Sequence, residues 1–216
     1  MTTHTVSPTA DLTKTLDVPD QLDGRRMRTE RGREAVIEAL LAIYEEGVSR
    51  PSAAAIALRA GVSERSVFRY FDDRDSLIQA IITFQTERIG HLYAKPNFSG
   101  TTTERINALV ELRLTIYDKT NNVVRAAASE IAESQQLIKA FDFRRQVLSQ
   151  QIDKVFAPEL AALAPAEAAE LRAALDVAAS VEQIDYLRHH KGNSVEFTRS
   201  IVKLTLHALL GINTSN

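Results

Sequence analysis

The segment 52–71, SAAAIALRAGVSERSVFRYF, constrains the fold more than any other part of the chain. Two short helices crossing at a steep angle need a small side chain where they touch, and the turn between them needs a residue that tolerates positive φ. Ala57 supplies the first and Gly61, four positions later, the second. Val62 and Val67 then stand where apolar side chains close such a corner, with Ile56 and Ala60 beside them. Ser63 is placed to cap the second helix, and Glu64 sits at that helix's positive end. Any αα-hairpin needs Gly and small residues at its corner. The pattern is therefore either an ordinary hairpin or a helix-turn-helix, and its surroundings must decide.

Those surroundings predict an all-α chain. None of the six prolines (Pro8, Pro19, Pro51, Pro96, Pro158, Pro165) falls inside a stretch with sustained helical periodicity. The intervals are rich in Ala, Leu, Glu, Arg and Gln, period-2 runs are scarce, and no Asn-Gly or Asp-Gly turn joins two β-branched runs. The periodicity predicts about nine helices. The first covers 30–47, capped by Thr29 and stopped by Gly47. Two short ones follow, from Ser52 to Arg59 and from Glu64 to Phe71, then a long one from Asp73 to Leu92. Five more are expected at 102–118, 121–132, 135–156, 165–190 and 194–211, with Gly192 terminating the penultimate helix and Ser194 capping the last.

Composition narrows the chemistry. The chain has 216 residues and no cysteine, which excludes disulfides, thiolate metal sites and Cys nucleophiles. Nothing approaches an apolar membrane span, and the first twenty residues lack the charge and apolar core of a signal peptide, so a cytoplasmic setting is expected. HExxH, a phosphate-cradling glycine loop and a nucleophile elbow are all absent. The net charge of −2 argues nothing for nucleic acid, but its distribution is uneven. GRRMRTERGR (24–33) sets Arg25, Arg26, Arg28, Arg31 and Arg33 against one acid, Glu30. This arm is either a solvated leader or a segment that tracks phosphates or the minor groove.

With the arm one helix upstream of the corner, GVSRPSAAAIALRAGVSERSVFRYFDDRDSL resembles the N-terminal DNA-binding domain of the TetR family of bacterial transcriptional regulators. The resemblance rests on Gly47, Ile56-Ala57, Gly61-Val62-Ser63, the Phe68-x-Tyr70-Phe71 cluster and Arg74 three residues before Leu77. It is specific over residues 30–80 and extends only to helix number beyond them. The sequence departs from the family pattern at Phe68, usually Tyr, at Tyr70, usually His, and at the reduced Ser/Thr content of 52–55. The expected organisation is a disordered tail (1–23), a helix-turn-helix domain (24–76) and an effector-binding and dimerisation domain (77–216).

In a helix-turn-helix the second helix enters the major groove. Val67 and Phe71 would face inward, leaving Glu64, Arg65, Ser66 and Arg69 outward, with Arg65 the expected base reader. Glu64 and Ser66 are further candidates for base contact, Ser52, Arg69, Tyr70 and Arg74 are expected near the DNA backbone, and Ser63 with Arg28 and Arg31 of the arm completes the expected DNA-binding set. Arg69 could instead pair with Asp72 or Asp73, and Phe68 could be either a surface contact or core.

The resemblance further implies a homodimer on a near-palindromic double-stranded operator, repression, release by a small-molecule effector, no cofactor and no membrane partner, with nucleoid association when bound. Leu171, Leu175, Phe197, Ile201, Leu204 and Ala208 are the expected dimer residues. Phe84, Leu109, Leu112, Ile116, Phe141 and Val181 are the candidate effector lining, each equally readable as core. Arg113, a lone cation in an apolar helix, would meet either an anionic effector or an ion-pair partner near Glu111. The competing classes are a helical interaction module and an enzyme without a recognisable motif, neither with specific DNA binding.

Overall fold

The computed structural model describes residues 19–93 and 98–212, and every regular element among them is helical. Most of the tail expected over 1–23 lies outside the described residues, while Pro19–Asp23 belong to a helix. That helix, α1 (Pro19–Glu45), begins well before residue 30 and absorbs the arginine arm. Thr29, expected as its cap, lies within it and donates its hydroxyl to the Arg25 carbonyl at 3.0 Å. Arg, Met and Glu are strong helix formers, so nothing in RRMRTERGRE stops the helix from extending toward the N-terminus.

The C-terminal half of α1 buries Val36, Ile37, Leu40, Leu41, Ile43 and Tyr44. Against this stripe pack α2 (Ala53–Ala60) and α3 (Glu64–Tyr70), which meet at the corner the sequence predicts. Gly61 adopts φ 68° there, and the Val62 amide donates to the Ala57 carbonyl at 3.0 Å. Ala57, Val67 and Phe71 are each at most 5% exposed. At about 1.5–3 kcal/mol for each large apolar side chain buried, this small core holds the two short helices that propensity alone could not.

α4 (Arg74–Ile89) opens with a reciprocal cap between Asp73 and Ser76 and ends in a tight turn, Gly90–Leu92. It sends Leu77 and Ile81 into the first core, while Ile78 joins Ala127 and Leu137 in another cluster. The expected boundary at residue 76 therefore falls at the start of a helix shared by both halves.

α5 (Thr102–Ala128) is one helix where two were expected. The helix runs unbroken through 119–120, where the interruption was expected, and Asn121-Asn122 just beyond are held by side-chain bonds. Asn121 Nδ2 donates to the Tyr117 carbonyl and Asn122 Nδ2 to the Glu45 carbonyl at the end of α1. Arg125 donates to both amide oxygens.

Around α5 stand α6 (Gln135–Val155), the short α7 (Ala157–Ala161), α8 (Pro165–Ala178), α9 (Val181–Asp185) and α10 (Val195–Leu209). The helix expected over 165–190 breaks at Ala179-Ser180, where Arg113 takes the Ala179 carbonyl at 3.0 Å and Ser180 caps α9. After one wide turn, Tyr186–His190, Gly192 (φ 66°) and Ser194 terminate and cap as predicted. Among the described residues no helix is long and apolar enough to cross a membrane.

Candidate nucleic-acid interface

Burial of Val67 and Phe71 turns the opposite face of α3 outward, exposing Glu64, Arg65, Phe68 and Arg69. Arg65 is exposed and has no hydrogen-bond or ion-pair partner among the described residues. Phe68 is 61% exposed, which removes the reading of it as core. Arg69 pairs with neither Asp72 nor Asp73; its Nη2 donates to the Tyr70 hydroxyl at 3.2 Å, and its guanidinium lies 5.1 Å from that ring's centre.

Ser52 and Ser63 serve as caps, accepting from the Ala55 and Ser66 amides at 3.1 and 3.2 Å, while Ser66 Oγ lies 2.9 Å from Ser63 Oγ. Tyr70 brings the hydroxyl end of its ring against α1 at Gly32, where a Cβ would collide with its phenol. Arg33 covers the Phe71 ring at 4.8 Å. α1 thus meets the C-terminal end of α3 at Gly32 and Arg33, and Arg25, Arg26, Arg28 and Arg31, N-terminal to that contact, are exposed along the helix. The segment read as either a solvated leader or a phosphate- or groove-tracking arm is thus helical.

Arg74 is directed elsewhere. Its Nε and Nη2 donate to Glu130 Oε2 at 2.8 and 2.5 Å, at the junction between α5 and α6. Glu130 is 3% exposed and also accepts from the Tyr44 hydroxyl at 2.9 Å and the Arg50 amide at 3.0 Å. Arg50, just before Pro51, has φ 51°, a left-handed conformation costing about 1–2 kcal/mol that this carboxylate helps hold. One buried acid therefore ties α1, the α1–α2 turn and α4 to the second half of the molecule. Local sequence carries no signal for it, because its partners lie 56 to 86 positions away.

Between α4, α5 and α6 lies a cavity of about 440 Å³. Ile78, Ile82 and Ile89 line it from α4, Val123 and Val124 from α5, Phe141 and Val147 from α6, and Tyr44 from α1. Of the candidate effector lining only Phe141 is found there. Leu109, Leu112, Ile116 and Val181 belong to the core around α5, and Phe84 packs on the first core. They are displaced because the two ends of α5 face different ways: its first turns meet α8–α10, and only Thr120, Val123, Val124 and Ala127 reach the cavity.

Arg113 is 1% exposed and donates to the Ala179 and Leu148 carbonyls and to Gln151 Oε1. Burial pushes its guanidinium down to about 10. It braces three helices and pairs with no effector-facing acid; Glu111 pairs instead with Arg199 at 2.7 Å.

The expected dimer residues divide. Leu175 is fully buried in the core around α5 and Leu171 packs against that core, so neither is a free surface residue. Phe197 and Leu204 are 54% and 53% exposed, Ala208 is exposed and Ile201 half-buried, all on the outer face of α10. Val177 on α8, 66% exposed, and Leu209 complete an apolar strip that the sequence pattern only partly picked out. A helix apolar on both faces buries one of them in its own chain and leaves the other over.

The family of bacterial regulatory proteins, tetR family, matches residues 38–81, which run from mid-α1 into α4. No curated protein matches the chain in sequence. Among solved structures, a transcriptional regulator from Rhodococcus sp. Rha1 superposes with TM-score 0.62 at 17% identity, covering 85% of this chain and 96% of its own. A TetR-family transcriptional regulator from Rhodococcus sp. gives 0.57 at 16%, covering 84% and 99%. The fatty acid degradation regulator FadR from Bacillus halodurans gives 0.51 at 14%, covering 85% and 94%. The all-α fold is thus shared along most of the chain, and the helix-turn-helix segment, residues 38–81, is similar to the tetR family of bacterial regulatory proteins.

Proposed function

We propose that the chain is a ligand-responsive repressor that binds a near-palindromic operator as a homodimer and leaves it when a small molecule fills the cavity between α4, α5 and α6. The observation that carries this reading is the position of α4. Its first turn belongs to the helix-turn-helix core through Leu77, while Ile78, Ile82 and Ile89 wall the cavity. A ligand that shifts α4 must shift the reading helix with it, because interiors this densely packed transmit displacement.

Arg65 reads a base edge and Glu64, Ser66 and Phe68 flank it. Ser52, Ser63, Arg69, Tyr70, Arg28 and Arg31 position the duplex backbone. Arg74 belongs to the coupling with Glu130 and reaches phosphate only if that pair opens. The outer strip of Phe197, Ile201, Leu204 and Ala208, with Val177, meets its copy across a twofold axis and spaces the two reading helices. The protein acts in the cytoplasm and carries no catalytic role.

Fluorescence anisotropy against the DNA upstream of its own coding region, with random DNA as competitor and a salt titration, tests the core of this reading. Specific binding is expected to exceed random binding by about 10³ or more at moderate salt. If no fragment outcompetes random DNA, the protein is instead a helical interaction module. A Leu204→Glu variant is expected to halve the light-scattering mass; an unchanged mass places the dimer contact elsewhere.

A further inference from the structure

The cavity walls are mostly apolar, and the hydroxyls of Tyr44, Thr86 and Thr120, which also line it, donate to Glu130 and to the Ile82 and Ile116 carbonyls. α4 and α6 run alongside each other in the same direction: Ile78, Ile82, Leu137 and Phe141 gather at one end, and Gln151 Nε2 donates to the Tyr93 carbonyl at the other. Between these ends, Gln85 of α4 and Arg144 of α6 both reach the cavity. Gln85 Oε1 and Arg144 Nε are buried with no hydrogen-bond partner among the described residues. The Arg144 side chain is only 14% exposed, and the acid nearest to it, Glu182, stands 4.0 Å away, more than half exposed and shared with Arg145 at 3.8 Å. The fully buried Arg113 lies close enough for the two like charges to be felt. An under-neutralised guanidinium against an apolar wall is costly unless something completes it.

We infer that the cavity is built for a small molecule with an apolar body and a single carboxylate, which Arg144 holds midway along the cavity with Gln85 as second partner. The volume suits a compact ligand rather than a nucleotide-sized one. Arg144 offers the paired donors that a carboxylate accepts, and Gln85 can turn its amide to present Nε2 to the same group. An apolar molecule without the acid would leave both polar atoms buried and unpaired. This inference rests on the proposed effector role of the cavity and adds the chemistry of what fills it.

Calorimetric titration of the full-length protein with decanoate and with decan-1-ol tests it. Decanoate is expected to bind about tenfold or more tighter than the alcohol. Arg144→Met is expected to erase that difference while leaving decan-1-ol binding unchanged, and Arg144→Lys to restore part of it. Ala140→Phe, which fills the cavity from α6, is expected to abolish both. Circular-dichroism melts establish that each variant is folded. Equal affinity for the two probes, or loss of both in Arg144→Met with none regained in Arg144→Lys, overturns the carboxylate assignment while the cavity stands as a binding site. Binding of neither probe to the native protein overturns the assignment and the effector reading together.

Discussion

Arg65 stands in the first turn of α3 with its five donors unclaimed among the described residues, and a guanidinium fork matches the O6 and N7 acceptors of guanine. Arg65→Ala is expected to cost about 1–3 kcal/mol on the operator and to relax specificity at one base pair, read by anisotropy on operators with single substitutions. Equal weakening on every sequence would make Arg65 a phosphate contact. Gly32 offers a sharper separation of stability from reading. An alanine inside a helix gains roughly 1 kcal/mol over glycine, yet here its Cβ displaces the Tyr70 phenol and with it the partner of Arg69. Gly32→Ala is therefore expected to hold or raise Tm while weakening operator binding; a clear fall in Tm would mean that the Tyr70 contact is chiefly structural. The sequence pattern identified Tyr70 as a surface polar group. It could not identify Gly32 as its seat, because that contact joins two helices far apart in the chain.

The element most altered by folding is α1. Its arginines read as an arm because five of them face one acid in ten residues and Thr29 resembles a cap, but helix propensity and the Arg28 Nε bond to the Gly24 carbonyl carry the helix through. As a rigid ridge it presents Arg28 and Arg31 at fixed spacing, which makes its contribution to binding countable. The double variant Arg28→Gln, Arg31→Gln keeps good helix formers and removes two charges. If both touch phosphate, the slope of log K against log salt shallows by about 0.9 for each; an unchanged slope would demote the ridge to solvent-facing charge. The same limit of local reasoning affected α5, where an interruption was expected at 119–120, while Asn121 and Asn122 just beyond it find partners in Glu45 and Arg125 within one continuous helix. The corner at Ala57 and Gly61 was legible because every part of it is local. The cavity was not, because its walls come from four helices.

At the scale of the molecule, Glu130 is the buried group that links the two halves. Its carboxylate holds Tyr44, which walls the cavity, and Arg74, which starts α4. Burial first, and then the charge of Glu130, pushes the Tyr44 hydroxyl well above the usual tyrosine range. Above pH 10 the unfolded chain releases that proton while the folded one keeps it. The unfolded state then binds fewer protons, so stability falls as pH rises past 10, by up to about 1.4 kcal/mol per unit from this group. Tyr44→Phe is expected to flatten that part of the urea-melt profile; a parallel profile would mean that Tyr44 titrates normally.

Glu130→Gln keeps the shape of the junction but removes the charge that Arg74 answers. Breaking a fully buried pair costs about 3–5 kcal/mol, and because the Arg74 side chain is 42% exposed and can rehydrate, about 1–3 kcal/mol is expected. The functional consequence separates from that loss in a double-mutant cycle. Ala140→Phe, by filling the cavity as a ligand would, is expected to weaken operator binding in the native background. In Glu130→Gln the same filling no longer reaches the reading helix through a shared carboxylate, so its effect on operator affinity shrinks. If Ala140→Phe weakens binding equally with and without Glu130, the signal travels along α4 by packing alone, and the buried acid is a structural tie.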